Sequence, residues 1–288
     1  MGLLGAHVSI SGGVHKAPKR GKDLGCESIQ IFTKNQMQWK AKPITDEDAE
    51  RFKDEVLKHG ILAVVAHDSY LINLAAVKED LLKKSRDAFY DEIIRADKLD
   101  IPYLVFHPGA HMGAGEKQGL KLVAESINEN LARAEGTRVK LLLETTAGQG
   151  TNLGYKFEHL AEIIDMVDDK KRMGICFDTA HVFEAGYDIT MRETFLEVID
   201  EIDSIIGLDR LKVFHMNDSK TPLGSRVDRH ANIGKGVMGL TVFRVIVNEP
   251  RFKNIPMVLE TPGGEKMYRE DLKVLRALIE STDAVSYT

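Results

Sequence analysis

Cysteine is nearly absent: Cys26 and Cys176 stand far apart and in no CxxC spacing, which excludes a disulfide framework and a cysteine-built metal cage and fits a reducing compartment. Cys176 lies in an apolar run and reads as an inert core residue. Long hydrophobic runs are missing as well: there is no signal peptide and no apolar span of membrane length, and Ala6 stands where N-myristoylation prefers Ser or Thr. A soluble, cytoplasmic protein with no membrane partner is expected. No stretch rich in Pro, Ser or Gly interrupts the chain, so residues 1–288 are expected to form one domain. Nor is there an excess of positive charge. The formal net charge of −5 argues against a diffuse polybasic grip on nucleic acid as the source of affinity.

What is present is ample apolar material, 43% of 288 residues, in eight short runs: Leu3 to Val8, Ser28 to Phe32, Ile61 to Ala66, Pro102 to Phe106, Val139 to Leu143, Met173 to Phe177, Leu211 to Phe214 and Pro256 to Leu259. Each is too short for a core helix, and most are rich in Val, Ile, Leu or Phe, as parallel strands buried on both faces should be. Helical patterns lie between them. Thr45 to Gly60 has an N-cap at Thr45, an acid at Asp48, apolar Phe52 and Val56 on one face, and Gly60 as its stop. Leu81, Ser85, Ala88, Phe89, Ile93 and Ala96 keep helical spacing, as do Phe157, Leu160, Ile163, Ile164 and Val167, and then Leu272, Leu275 and Leu278. A strand followed by a helix, eight times over, predicts an α/β fold, a single (β/α)8 TIM barrel. A solenoid is the competing reading of the recurrence, but the units share no residue motif, and eight is the number that closes a parallel barrel.

The ends of these runs carry the chemistry. VVAH ends in His67, VFHP places His107 after its run, LLLE ends in Glu144, GICFD in Asp178, VFH in His215 and MVLE in Glu260. In this fold the C-terminal ends of the strands converge on one face. Each residue alone is better explained by a hydrogen-bonded core histidine or a helix-capping carboxylate. Together, several carboxylates in one barrel mouth would repel unless cations sat among them. Two local pairs extend the set. Asp178 and His181 in FDTAH share one side of a first helical turn, and Asp228 and His230 in DRH point the same way from an extended segment. Nine imidazole and carboxylate ligands suit three divalent ions with open positions, one carboxylate bridging, and zinc, manganese and iron all accept such donors. Three such ions would carry the formal charge to about +1, concentrated where a phosphate binds. GAHMGAG (109 to 115) has the wrong spacing for a dinucleotide fingerprint and no Walker lysine, so it reads as a βα connection.

HDSYLINLA (67 to 75), LLLETTAGQG (141 to 150), GICFDTAHVFEAGYD (174 to 188) and FHMND with GSRVDRH (214 to 230) closely resemble the endonuclease IV family of apurinic/apyrimidinic endonucleases. GAHVS near the start and FTKNQMQW (32 to 39) extend the resemblance over nearly the whole chain. It implies a trinuclear zinc centre that cuts duplex DNA 5′ to an abasic site, leaving a 3′-hydroxyl and a 5′-deoxyribose phosphate. By that pattern His67 and His107 hold one ion, Glu144 bridges it to a second held by Asp178, His215 and Glu260, and His181, Asp228 and His230 hold the third. Glu260 and Glu144 are the catalytic carboxylates, Glu260 orienting or deprotonating the attacking water. Tyr70 matches the family's inserting aromatic side chain. Met37 stands where some relatives carry Arg, so a charged contact is replaced by an apolar wedge. Gln36, Arg226 and Arg229 are candidate backbone contacts, as are Lys34 and Trp39, and a monomer is expected. The competing reading is a metal-dependent sugar isomerase or epimerase on a similar barrel. That reading leaves His67, His107, Asp228 and His230 without a role. A lesion-binding protein with purely structural metals is a third, disfavoured by open His and carboxylate coordination.

Overall fold

The computed structural model describes residues 1–280, so residues 281–288 of the expected 1–288 domain lie outside the described residues. In chain order the strands are β1 Leu3–His7, β2 Ser28–Phe32, β3 Ala63–His67, β4 Tyr103–Phe106, β5 Lys140–Glu144, β6 Met173–Asp178, β7 Leu211–His215, the two-residue β8 Asp218–Ser219 and β9 His230–Ala231, and β10 Pro256–Leu259. All but β8 and β9 are neighbours in one closed barrel whose pairings are parallel, with β1 bonded to both β2 and β10. β8 and β9 pair as a small antiparallel ribbon. Around the barrel lie α1 Ala17–Leu24, α2 Asp46–His59, α3 Glu79–Lys98, α4 Glu116–Arg133, α5 Phe157–Met166, α6 Thr179–Ala185, α7 Arg192–Ile205, α8 Thr241–Asn248 and α9 Gly264–Ala277. The (β/α)8 reading holds, with two additions: helices α6 and α7 both separate β6 from β7, and the β8–β9 ribbon lies between β7 and α8. Among the described residues no helix is long and apolar enough to cross a membrane.

Four strands run one residue beyond their apolar stretches, to His67, Glu144, Asp178 and His215. The ladder continues because backbone pairing does not depend on the side chain: Phe32 faces His67, Glu144 faces Cys176, and Asp178 faces His215. These side chains are therefore held by hydrogen-bonded backbone rather than by loops.

Alternation along the strands decides which way they point. Val65, Val105, Leu142, Cys176 and Val213 form a buried cluster inside the barrel, with Tyr103 packed against it. Two residues on along each strand come His67, His107, Glu144, Asp178 and His215, so they make the next inward layer. An irregularity between β6 and β7, where Lys212 is the extra residue between the pairs Ile175/Leu211 and Cys176/Val213, keeps Asp178 level with His215. At the seam between β1 and β2 the barrel closes only over glycine. A Cβ on Gly5 would lie 1.9 Å from the Ser28 carbonyl oxygen.

Candidate metal centre

Glu144 is fully buried, and its two oxygens divide between two groups of imidazoles. Oε2 lies 3.0 Å from His67 Nε2 and 3.2 Å from His107 Nε2, while Oε1 lies 3.0 Å from His215 Nδ1 and 3.3 Å from His181 Nδ1. Burial would raise this carboxyl, but His215 and His107 hold it well below the usual range. Conversely, burial would lower the His67 imidazole, and Glu144, with Glu260 and Asp68, lifts it to about 10.

The histidines are oriented by oxygens behind them. His67 donates from Nδ1 to the Asp68 carbonyl (3.0 Å), His181 from Nδ1 to the Thr145 carbonyl (2.9 Å), and His215 from Nε2 to Gln30 Oε1 (2.8 Å). Each bond leaves the other ring nitrogen turned toward the carboxylates, the arrangement by which proteins fix the tautomer of a metal-binding imidazole. Asp178 caps α6, accepting from His181 N–H at Oδ1 (2.9 Å), and its Oδ2 accepts from Asn217 Nδ2 (2.7 Å). A capping role and an inward-facing oxygen thus coexist in one side chain.

Potential ligand atoms lie within 4.8 Å of one another inside each of three groups: His67, His107 and Glu144; Glu144, Asp178, His215 and Glu260; and Asp178, His181 and His230. Asp228 joins the last group, with Oδ2 3.4 Å from His181 Nε2 and Oδ1 3.6 Å from His230 Nε2. All nine side chains therefore meet at one end of the barrel. The donor set fits divalent cations. His181 Nε2 and His230 Nε2 face each other at 3.3 Å, a separation at which two lone pairs repel and a shared cation, or a proton on one ring, removes the conflict.

Reading the strand tips missed two residues. Gln30 donates to Glu260 Oε1 (2.6 Å) while accepting from His215, and His7 Nδ1 lies 3.2 Å from the same Glu260 oxygen. An amide in the middle of the apolar run SIQIF is a buried polar group in need of partners, and GAHVS ends its strand at His7 rather than Val8. Those two signals were available.

Around the mouth, Tyr70 is 63% and Met37 70% exposed. The Tyr70 ring lies 5.7 Å from Phe32 and 6.1 Å from His67, and Ser69 Oγ donates to the Gln36 carbonyl (2.6 Å), joining the two segments. Arg226, at φ 53°, lays its guanidinium 4.3 Å from the centre of the Tyr155 ring, and Arg229 donates to the Asp228 carbonyl (2.7 Å). Trp39 is half-buried against the core. The expectation for Lys34 is corrected: its side chain is 1% exposed, with Nζ 2.7 Å from Asp91 and 3.3 Å from Glu92, so it is a buried strut and not a DNA contact. A cavity of about 260 Å³ borders His67, Tyr70, Asn73 and His107. A larger one, about 760 Å³, opens at the opposite end of the barrel beneath Leu3, Ala63 and Leu211 and touches none of the nine.

The family model described as xylose isomerase-like TIM barrel matches residues 18–278. A Chloroflexus aurantiacus protein named probable endonuclease 4 is 53% identical over 285 residues, 98% of this chain and 100% of that protein. The crystal structure of endonuclease IV from Thermus thermophilus superposes with a TM-score of 0.86 at 36% identity, over 96% of this chain and 98% of the other. A D-tagatose 3-epimerase-like protein superposes at 0.74 with 18% identity, over 96% of each chain, a likeness of fold alone.

Proposed function

The chain belongs to the endonuclease IV family on the xylose isomerase-like TIM barrel and is a metal-dependent endonuclease of DNA repair; from that premise we propose that three zinc ions, with manganese or iron able to replace some of them, serve its hydrolysis of the phosphodiester bond 5′ to abasic sites in duplex DNA. The observation that carries the trinuclear reading is the division of Glu144, with Oε2 facing His67 and His107 and Oε1 facing His215, while His181 turns its Nε2 to Asp228 and His230. In this reading His67 and His107 hold one ion, Glu144 bridges to a second held by Asp178, His215 and Glu260, and His181, Asp228 and His230 hold the third. Such ions, when bound, acidify water and neutralise the charge of a reacting phosphate.

The chain's own residues do the rest. Gln30 and His7 fix one oxygen of Glu260, and the carboxylate stays ionised: burial would raise it, but His215 and the His7 hydrogen bond pull it well below its usual range. In this reading it orients the attacking water and accepts its proton. Tyr70 and Met37, large apolar side chains left in solvent, are the wedges that enter the base stack where a base is missing. Gln36, Arg226 and Arg229 border the same mouth and contact the DNA backbone. The products are a 3′-hydroxyl and a 5′-deoxyribose phosphate. We read the chain as one catalytic domain acting as a monomer in the cytoplasm, a compartment that suits its two free, buried cysteines.

The test is a nicking assay on duplexes with and without a tetrahydrofuran abasic analogue. The metal-loaded protein is expected to cut only the damaged duplex, and a chelator to stop it. Absence of cutting by fully loaded protein would remove the reading, and turnover of a ketose or aldose in its place would favour a sugar isomerase.

A further inference from the structure

Beside the mouth, on the outer wall of the barrel, the β1–α1 connection and helices α1 and α2 enclose a cavity of about 310 Å³ lined by His15, Lys16, Lys19, Arg20, Arg51 and Glu55. Four cations and an imidazole against one carboxylate is an unusual local balance in a chain of net charge −5. The carboxylate is already engaged: Glu55 accepts from Lys58 (2.7 Å) and lies 2.9 Å from His59 Nε2. Lys19 is paired with Asp23 (2.6 Å), and Arg20 donates to the carbonyls of Ser9 and Ser11 (2.5 and 2.7 Å), so these two residues shape the wall. Lys16 and Arg51 meet no carboxylate within 4.0 Å among the described residues.

Two further observations show that the pocket is built rather than incidental. His15 Nδ1 is buried and has no hydrogen-bond partner, and a buried ring nitrogen of this kind calls for one. The Gly12–Gly13 turn makes room for the side chains. A Cβ on Gly12 would lie 2.7 Å from Lys16 Nζ and one on Gly13 would lie 2.5 Å from the His15 ring, at φ values of 81° and 118° that other residues avoid. Burial, then the charges of Arg51 and Lys16, lower the His15 imidazole, as a pocket with unbalanced positive charge would.

Its position points to the ligand. The connection begins directly after His7, which touches Glu260, so one wall of the pocket is a segment that starts at the end of the barrel carrying the candidate metal centre. A duplex repeats over roughly 34 Å, long enough for its backbone to cross the rim when a lesion sits over the centre. We propose that this pocket is a second anion site that binds a backbone phosphate of the duplex flanking the lesion. Lys16 and Arg51 pair with the phosphate oxygens, and His15 forms part of the wall. The assignment rests on the abasic-site reading given above.

The test uses a Lys16→Gln, Arg51→Gln double variant of the metal-loaded protein, with Lys53→Gln, a cation of α2 outside the pocket, as control. Binding to an abasic-analogue duplex is measured across salt concentrations on two substrates, one extending ~10 bp beyond the lesion on each side, about one helical turn, and one ending after ~4 bp. The double variant is expected to bind the long duplex more weakly, with a salt slope shallower by about one, because the pocket holds one phosphate. On the short duplex it should match the unaltered protein in both binding and nicking. An unaltered slope, an equal loss on both duplexes, or an equal loss in Lys53→Gln would overturn the pocket. Failure of the unaltered protein to nick the long duplex would instead remove the abasic-site reading on which it rests.

Discussion

One oxygen of Glu260 is met by two neighbouring groups, Gln30 Nε2 at 2.6 Å and His7 Nδ1 at 3.2 Å, and its other oxygen faces His215 at 3.3 Å. A Glu260→Gln change keeps the volume and removes the charge. Cleavage of the abasic duplex is then expected to fall by roughly 10²–10⁴, the usual worth of a positioned acid or base, while binding of the same duplex survives. Near-normal turnover in a single-turnover assay would rule out its role. At this scale a polar side chain could be read from sequence only where it interrupts an apolar run at its end. His67, Glu144, Asp178 and His215 all do so. Gln30 sits mid-strand and His7 was absorbed into the run Leu3 to Val8, so both escaped. The burial of Lys34 could not be read at all, because its partners Asp91 and Glu92 are nearly sixty residues away, on α3.

The connection from β2 to α2 carries Gln36 and Met37 and has little secondary structure of its own, yet it is tied down along its length. Lys34 reaches Asp91 and Glu92, Thr33 Oγ1 donates to Glu92 (2.6 Å), and Arg95 donates to Asp91 (2.9 Å) as well as to the carbonyls of Thr33 and Lys42. Lys34→Met would leave Glu92, 1% exposed, without its cation. A loss of about 3–5 kcal/mol is expected for breaking a buried pair, seen as a lower urea midpoint. If the midpoint stays put while abasic-duplex binding weakens, Lys34 acts on DNA after all and the strut assignment fails. Elements whose instructions are local were the most legible ones. Thr45 caps α2 by accepting from Asp48 N–H (3.1 Å), and Gly60 closes it at φ 64°, both as the sequence dictates. Strand ends were less so, since a ladder bond is set by the neighbouring strand.

Across the whole molecule, nine candidate ligand side chains at the ends of six barrel strands and in the segments after β6 and β7 lie against one another, so metal is expected to govern stability. In the metal-free protein His67 is raised from 6.5 to about 10 by Glu144. Its stabilising contribution is therefore full below about pH 6.5 and is lost as pH rises through about 10. Metal binding runs the other way, because the ion needs the neutral imidazole and displaces the proton. The gap in Tm between loaded and chelator-stripped protein is thus expected to widen from about pH 6 to about pH 9, with proton release on reloading in weakly buffered solution. A gap that is constant or narrows with pH would show that His67 is not displaced by metal.

Sequence alone determined the eight barrel strands, several of the helices between them and the polar tips, because apolar periodicity, capping and chain chemistry act over a few residues. Tertiary structure alone decided that Gly5 closes the barrel against Ser28, that a bulge levels Asp178 with His215, and that Gln30 and His7 steady Glu260. Those facts depend on backbone registers between segments up to about 250 residues apart, and register is an energy shared between strands. No single stretch of chain contains it.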